Sequence, residues 1–328
     1  MSVEKRQRIV HVVSHGPHCL DGVAAAVAVA RFHRDATVIP YFASNQKIDD
    51  TILSLRSEPA DAAHEVWITD ISWTTAAADA HLRALAESGV AVYWIDHHRT
   101  AIERVAAGGV KVPFAGSVVR DEYAASRLTY DYLTARLAER GERNPAFEDL
   151  APLIAMADDN DRWLHKIPGS RELALVVRTM GGLPAYEDLL TIDRNLTYTS
   201  RMRDAAARLD AELKHSFEVA KASRVDQPIA GRDVTLVAAM CDGHPSEIAD
   251  AWGQQSTRTV FALFDAKSLS VSLRRSPDCT VDLSHLARAF GGGGHAAASG
   301  CEVPDLRRQL AHELARQMAA ALAAGKDR

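Results

Sequence analysis

Short apolar runs alternate with helical patterns along the first half of the chain. Four runs have the length and the Val and Ile content of buried parallel strands, at residues 8–13, 38–41, 66–69 and 90–95. Alanine-rich or amphipathic segments between them predict helices at residues 23–32 and 76–86, and Ile52 begins a shorter helix. This alternation of strands and helices predicts an α/β fold with a parallel sheet.

The second half of the chain begins with helical patterns and continues with a smaller α/β pattern. Helices are predicted at residues 122–140 and 150–157, followed by a long amphipathic helix at 197–222. The smaller pattern predicts three strands, at residues 234–239, 259–264 and 269–274. It also predicts three helices, at residues 245–252, 282–290 and 306–323. A long helix between two α/β regions indicates a connector.

We therefore predict two α/β domains joined by a long helix. The first domain covers residues 1–195, the connector 196–226 and the smaller second domain 227–328. We expect the active site in the cleft between the domains. Apolar surface on the connector would be able to support a homodimer.

Composition narrows the class of protein. The 328 residues, with 47% hydrophobic content, suffice for two domains with cores, and a net charge of −5 argues against a large surface that coats nucleic acid. The four cysteines lack the paired spacing of a disulfide framework or a zinc ribbon. The chain shows neither a signal peptide nor an apolar run long enough for a membrane span, so we expect a cytoplasmic protein without a membrane partner.

Acids and histidines follow three of the predicted strands. The loop after the first strand carries His15, Cys19 and Asp21, the third strand ends in Asp70, and the fourth ends in Asp96-His97-His98-Arg99. In α/β sheets the carboxyl edge is where ligand sites form. Polar loops after buried strands are the simpler interpretation of any one of these segments, but three of them indicate convergence on a single point.

A fourth acidic segment lies at the end of a predicted helix. Asp158, Asp159 and Asp161 fall within four residues, where their charges oppose the helix dipole. A solvated helix end is one interpretation, and a bound cation that makes the clustering favourable is the one we prefer. Mixed imidazole and carboxylate donors suit Mn²⁺, Fe²⁺ or Zn²⁺, and a pair of such ions activates water for attack on phosphorus.

Asp96-His97-His98 resembles the signature of the DHH phosphoesterases, the family of RecJ-related exonucleases and nanoRNase/pAp phosphatases. The family's other metal-binding blocks are similar, in order, to His15–Cys19–Asp21, to Asp70 and to an acid followed by an aromatic residue. The segment from Phe290 to Gly300 resembles the glycine-histidine motif of the DHH-associated C-terminal domain. The resemblance extends from about residue 10 to residue 302.

The resemblance implies a role for each matching residue. Asp70 would bridge two metal ions, with His15 and Cys19 on one ion and Asp21, His97 and Asp159 on the other. His98 would lie near the substrate phosphate, with Asp96 and Arg99 beside it in the catalytic group. The residues that would bind substrate, through glycine backbone N–H groups and two side chains, are Arg274, Gly292, Gly293, Gly294 and His295.

Two positions leave alternatives open. Many relatives have aspartate where this chain has Cys19. One alternative is that the Cys19 thiolate binds the metal, and another is that a water or His18 binds it instead. In the remaining alternative the thiol only packs in the core. The fourth block could be Asp158, Asp159 or Asp161, and we choose Asp159 because Trp163 follows it by four residues.

The expected function is phosphoester hydrolysis that depends on two Mn²⁺ ions, one of them weakened by Cys19. Small nucleotides are the expected substrates: short oligoribonucleotides, linear dinucleotides such as pApA, or pAp. One alternative keeps the chemistry but changes the substrate, to single-stranded nucleic acid for an exonuclease or to pyrophosphate or polyphosphate. Another is a non-catalytic nucleotide-binding sensor whose metal site Cys19 has degraded.

Overall fold

A computed structural model describes residues 7–57, 62–303 and 305–324. The described chain divides after Leu209 into two compact units. The division falls within the helix Ser200–Ser223, the segment expected to be the connector. Among these residues, no helix combines the length and the hydropathy that crossing a membrane requires.

The first unit contains a five-stranded parallel sheet. Its strands are β1 (Arg8–His15), β2 (Thr37–Ala43), β3 (Ala63–Thr69), β4 (Ala91–Asp96) and β5 (Gly116–Val119). They lie in the order β2-β1-β3-β4-β5, so the chain reverses its direction of travel across the sheet after β2. The carboxyl ends of β1 and β3 are therefore neighbours, at the kind of switch point where α/β sheets bind ligands.

Ten helices accompany this sheet in the described chain. They are α1 (Leu20–Phe32), α2 (Ile48–Ser54), α3 (Ala76–Glu87), α4 (Arg99–Ala106), α5 (Ala125–Arg140), α6 (Pro145–Glu148), α7 (Ala151–Asp161), α8 (Ser170–Met180), α9 (Gly182–Leu189) and α10 (Ser200–Ser223). All but one residue of α1 is buried, and α1 packs against α5 and α7 as well as β1. Its alanines let backbones approach closely on every side. On the opposite face, Trp73 and Trp94 belong to the core cluster with α2 and α3.

The second unit contains a six-stranded mixed sheet. Its strands are β6 (Val225–Pro228), β7 (Thr235–Cys241), β8 (Thr259–Asp265), β9 (Ser270–Arg275), β10 (Gly293–Gly294) and β11 (Ala298–Cys301). Their order is β10-β11-β9-β8-β7-β6, and only β7 and β8 pair in parallel among the described strands of this sheet. The helices are α11 (Pro245–Gly253), α12 (Leu283–Arg288) and α13 (Leu306–Ala323), with separate core clusters at Phe261 and Leu273.

The predicted α/β class with a parallel sheet and a second, smaller α/β unit is confirmed. Several boundaries differ. Helix α7 continues through the acids to Asp161 instead of ending at residue 157, and α12 ends at Arg288 because Gly291 turns the chain with a φ of +72°. Strands β5, β6, β10 and β11 and helices α4, α6, α8 and α9 had no counterpart among the predicted elements.

Candidate metal centre

Asp70 occupies the middle of a polar site at the carboxyl edge of the parallel sheet. It directly follows β3, its side chain is buried, and its backbone N–H donates to the Ile95 carbonyl at 3.0 Å. Its φ is +60°, a left-handed conformation that is uncommon for residues other than glycine. Such strain persists where the surroundings impose it, and it is concentrated at functional sites.

The two carboxylate oxygens of Asp70 face different donor groups. Oδ2 lies 3.4 Å from His15 Nδ1 and 3.3 Å from Cys19 Sγ. Oδ1 lies 3.3 Å from His97 Nε2 and 3.9 Å from His98 Nδ1. A carboxylate with one oxygen toward each of two donor sets has the geometry for bridging two metal ions.

His97 carries the side of the site formed by β4 and α7. Besides Asp70, its Nε2 lies 3.5 Å from Asp161 Oδ2 and 3.8 Å from Asp21 Oδ2. This nitrogen is buried and has no hydrogen-bond partner among the described residues. A buried ring nitrogen that faces three carboxylates without hydrogen bonding to any of them fits a ligand of a divalent cation.

The donors come within mutual reach as three overlapping groups. In each group the candidate ligand atoms lie within 4.8 Å of one another: His15, Cys19 and Asp70; Asp70, His97 and His98; Asp21, His97 and Asp161. We use the name donor cluster for His15, Cys19, Asp21, Asp70, His97 and Asp161.

Local structure fixes the orientation of Asp21. Its carboxylate accepts hydrogen bonds from the backbone N–H groups of Ala125 and Ser126, both at 2.8 Å, and so binds the first turn of α5. Gly22 beside it permits the close approach of α1 to β1. A Cβ at Gly22 would lie 2.1 Å from the His15 carbonyl oxygen and 3.1 Å from Asp70 Oδ2.

The donor cluster concentrates negative charge. Burial, and then the charge on Asp70, raises the pKa of Asp21 well above its usual range and also raises the pKa of Asp161. Burial opposes the charged form of Asp70, but His15 and His97 outweigh it and hold the pKa of that carboxyl well below its usual range. Burial likewise opposes the charged form of His97, yet the Asp70, Asp21 and Asp161 carboxylates raise the pKa of His97 to about 9.

Cys19 shares the same electrostatic setting. Burial, and then the charges on Asp70 and Asp21, raises the pKa of the Cys19 thiol well above its usual range. A divalent cation would offset this charge and favour the thiolate. Oxygen, nitrogen and sulfur donors around one bridging carboxylate therefore fit divalent metal ions.

Asp96 is buried and orients His98. It accepts hydrogen bonds from the His98 backbone N–H at 3.0 Å, from His98 Nδ1 at 2.8 Å and from Ser72 Oγ at 2.6 Å. The hydrogen bond to Asp96 raises the pKa of His98. Because a carboxylate only accepts, Nδ1 carries a proton and Nε2 is the ring nitrogen left for a ligand.

His98 also lines a cleft of about 390 Å³. The cleft lies beside the donor cluster, because Asp96 and His98 form part of its wall, and its other polar wall residues are Asn45, Ser72, Thr74, Thr100 and Arg104. This volume falls in the range of small-molecule sites. The sequence analysis assigned no role to Asn45, Ser72 or Thr100.

The chain resembles known proteins in sequence and in fold. No protein-family model matches it. Over 315 residues it is 24% identical to the oligoribonuclease NrnB of Bacillus subtilis (strain 168), which covers 90% of this chain and 73% of that protein. This likeness joins the four blocks of donor residues, which the fold brings to one site. In these donor blocks and in this relative, the chain resembles the DHH phosphoesterases.

The fold also resembles solved structures. The pGpG-specific phosphodiesterase PggH from Vibrio cholerae has a TM-score of 0.53 at 13% identity, covering 96% of this chain and 99% of that chain. RecJ in complex with Mn²⁺ from Thermus thermophilus has a lower TM-score of 0.48 at 17% identity, covering 90% of this chain and 50% of that chain.

The fourth acidic segment, Asp158 to Asp161, is where the site differs from the prediction. Asp159, the residue chosen there, accepts hydrogen bonds from the Lys166 backbone N–H at 2.8 Å and from Ser170 Oγ at 2.6 Å, so it ties α7 to α8. Asp161 is the residue of this block that faces His97. The reason is helix phase: two residues along α7 correspond to about 200° of rotation, so Asp159 and Asp161 point in different directions.

Arg99, expected in the catalytic group, lies outside the donor cluster. It is the first residue of α4, its side chain is 87% exposed, and its Nε lies 2.9 Å from Glu103 Oε1 one turn along that helix. An ion pair at this spacing on a helix surface is a common local interaction. The structure thus brings together His15, Cys19, Asp21, Asp70, His97 and His98, and separates Arg99 and Asp159 from them.

In the second unit, Arg274 lies beside the glycine-histidine segment of the DHH-associated motif. It pairs with Ala298 across β9 and β11, and its Nη2 donates to Ser246 Oγ at 2.8 Å. A Cβ at Gly292 would lie 2.1 Å from the Gly300 carbonyl, and Gly294 has a φ of +137°. These two glycines are therefore required by the β10–β11 hairpin, whereas Gly293 borders open space and His295 is exposed.

Proposed function

We propose that this protein is a metal-dependent phosphodiesterase that hydrolyses phosphoester bonds in small nucleotides. The observation that carries the proposal is Asp70, whose two oxygens face two different sets of nitrogen, sulfur and oxygen donors. Further support comes from the resemblance to DHH phosphoesterases and from the 24% identity to an oligoribonuclease. Short oligoribonucleotides, linear dinucleotides such as pApA, and pAp are the substrates we propose.

The donor cluster would hold two divalent ions, and we propose that at least one of them is Mn²⁺. His15, Cys19 and Asp70 would bind one ion, and Asp70, Asp21, His97 and Asp161 the other. Bound ions of this kind supply an activated water and neutralise charge on the phosphate. Asp161 replaces Asp159 in this assignment, because both carboxylate oxygens of Asp159 are hydrogen bonded within the fold.

His98 is the residue we propose to contact the scissile phosphate. Asp96 holds its Nδ1 and favours its charged form, so Nε2–H would donate to a phosphate oxygen and stabilise charge there. The neighbouring cleft of about 390 Å³ would hold the nucleoside next to that phosphate. Asn45 and Thr100 in its wall offer hydrogen-bonding groups for a ribose or a base.

The second unit has its own groups for an anionic ligand. The Arg274 guanidinium, the exposed His295 and the open backbone at Gly293 are the groups we propose. A net charge of −5 fits a small substrate better than a long nucleic acid, which proteins bind mainly through many cationic contacts.

Activity of demetallated protein reconstituted with Mn²⁺ tests the proposal. The substrate panel contains pApA, pAp, a five-nucleotide RNA, a long single-stranded DNA and pyrophosphate. We expect hydrolysis of the short nucleotides, its loss in His97→Ala, and its retention in His285→Ala, a histidine that is 74% exposed in the second unit. Preference for long DNA or pyrophosphate would support another DHH substrate class. Sub-stoichiometric Mn²⁺ in the wild-type protein, together with no hydrolysis of pApA or pAp, would support the sensor.

A further inference from the structure

The two donor sets around Asp70 differ in chemical softness. On the Oδ2 side the donors are an imidazole and a thiol, His15 and Cys19. On the Oδ1 side they are the His97 imidazole and the carboxylates of Asp21 and Asp161, whereas His98 Nδ1 is already held by Asp96. Thiolate sulfur favours thiophilic ions such as Zn²⁺, and carboxylate oxygen suits Mn²⁺.

The thiol of Cys19 faces Asp70 and does not cap the helix that follows it. Cys19 occupies the position before α1, yet its side chain makes no capping hydrogen bond there within the described chain. Instead its Sγ lies 3.3 Å from Asp70 Oδ2, the same oxygen that lies 3.4 Å from His15 Nδ1. Sulfur, nitrogen and oxygen thus form a compact donor group, with all three atoms within 4.8 Å of one another.

We propose that the two metal positions of this centre are unequal, with a thiophilic divalent cation such as Zn²⁺ at His15–Cys19–Asp70 and Mn²⁺ at Asp21–His97–Asp161. This inference rests on the metal centre of the proposed function and specifies its metal content. Ligation breaks the S–H bond of Cys19, the thiolate binds the cation, and the proton leaves to solvent. The oxidation state of the sulfur does not change.

Cobalt is the probe for sulfur ligation. Demetallated full-length protein titrated with Co²⁺ is expected to develop the near-ultraviolet charge-transfer band of a thiolate–cobalt bond. The band is expected to disappear in Cys19→Ser and Cys19→Asp, while Co²⁺ continues to bind at the other position. Cys279→Ser, in the core of the second unit, is the matched control and is expected to keep the band.

Metal competition gives a second readout. After equilibration with equal Mn²⁺ and Zn²⁺, wild-type protein is expected to retain about one of each ion, and Cys19→Asp is expected to lose zinc preference by roughly tenfold or more. Circular dichroism of metal-free Cys19→Ser and Cys19→Asp tests whether both variants fold. A wild-type protein without the band, or equal metal ratios in wild type and Cys19→Asp, would overturn the inference.

These measurements distinguish failure of the unequal metal centre from failure of the proposed phosphodiesterase function. Hydrolysis of pApA with no cobalt–thiolate band overturns the unequal centre and leaves the phosphodiesterase intact. A clear band in a protein that hydrolyses none of the panel supports the unequal centre and overturns the proposed function.

Discussion

Asp96 accepts two hydrogen bonds from the same neighbour, one from the His98 backbone N–H at 3.0 Å and one from His98 Nδ1 at 2.8 Å. Ser72 Oγ donates to the second carboxylate oxygen at 2.6 Å, so the carboxylate itself is fixed. Backbone and ring of His98 are therefore fixed by a buried group that lies behind the donor cluster. Asp96 acts on the substrate through His98 and is a positioning residue.

Replacing Asp96 by Asn is expected to lower kcat by about 10- to 100-fold while leaving the metal content unchanged, because the imidazole loses its fixed orientation and charge. Ser72→Ala removes only the support of the carboxylate and is expected to have a smaller effect in the same direction. Steady-state kinetics and metal analysis of both variants provide the check. Loss of metal in Asp96→Asn with unchanged kcat per bound metal would show that Asp96 acts on the ions instead.

Asp159 and Asp161 provide a matched pair on one helix. Asp161→Asn is expected to weaken Mn²⁺ binding by about 10-fold or more, because its carboxylate faces His97 in the donor cluster. Asp159→Asn is expected to leave Mn²⁺ binding unchanged and to lower the free energy of unfolding by about 1–3 kcal/mol, because it breaks charged hydrogen bonds to Lys166 and Ser170.

Isothermal titration with Mn²⁺ and denaturant unfolding measure the two effects separately. The opposite pattern, with weakened metal binding in Asp159→Asn and lowered stability in Asp161→Asn, would return Asp159 to the metal centre.

Much of the first unit follows from its sequence. The four predicted strands correspond to β1 to β4, and apolar strands that end in His or Asp place those residues at one sheet edge. This explains why His15, Asp70 and His97 could be assigned to one site before any coordinates. Four-residue strand β5 could not be predicted, because its half-buried residues carry no clear period.

Helix phase explains what the sequence did not reveal at α7. The spacing from Asp159 to Trp163 is a local pattern, but Trp163 lies beyond the helix with a φ of +55° and its side chain is 53% exposed. Leu153 and Ala157 are buried four residues apart, and Asp161 is the next residue at that spacing, but Asp158 and Asp159 are buried as well. The burial pattern therefore does not select Asp161, and only its contact with His97 in the fold does.

The role of the glycine run in the second unit could not be predicted from the sequence either. Gly292 and Gly294 are required by contacts within the β10–β11 hairpin, and only packing across that hairpin reveals this. A sequence motif cannot distinguish a glycine that admits a ligand from one that admits another strand.

Removal of metal is expected to destabilise the protein. Without cations, the buried carboxylates of Asp21, Asp70 and Asp161 repel one another. Adding Mn²⁺ to chelated protein at about 100 times its dissociation constant is expected to raise the free energy of unfolding by about 2.7 kcal/mol. Thermal unfolding with and without Mn²⁺ measures the shift, and His97→Ala is expected to reduce it. An unfolding temperature of the wild-type protein that does not change when Mn²⁺ is added would contradict a metal centre at Asp70.

His33 gives the first unit a distinct acid sensitivity. Its side chain is buried among Phe32 and Trp67, and neither ring nitrogen has a hydrogen-bond partner among the described residues. Burial, together with nearby arginines, lowers the pKa of His33 from 6.5 to about 3, even though Glu65 Oε2 lies 3.4 Å from Nε2.

The low pKa of His33 makes the folded protein less stable in acid. His33 is neutral in the folded protein but takes up a proton in the unfolded chain below pH 6.5, so acid favours unfolding. The contribution of His33 to the free energy of unfolding is fully present above pH 6.5. It falls by about 1.4 kcal/mol per pH unit as the pH drops from 6.5 toward 3. Between about pH 7 and pH 5, His33→Leu is expected to lose about 2 kcal/mol less free energy of unfolding than the wild type. Urea unfolding at both pH values makes the comparison, with the exposed His285→Leu as control, and equal losses in wild type and His33→Leu would mean that His33 is already protonated in the fold.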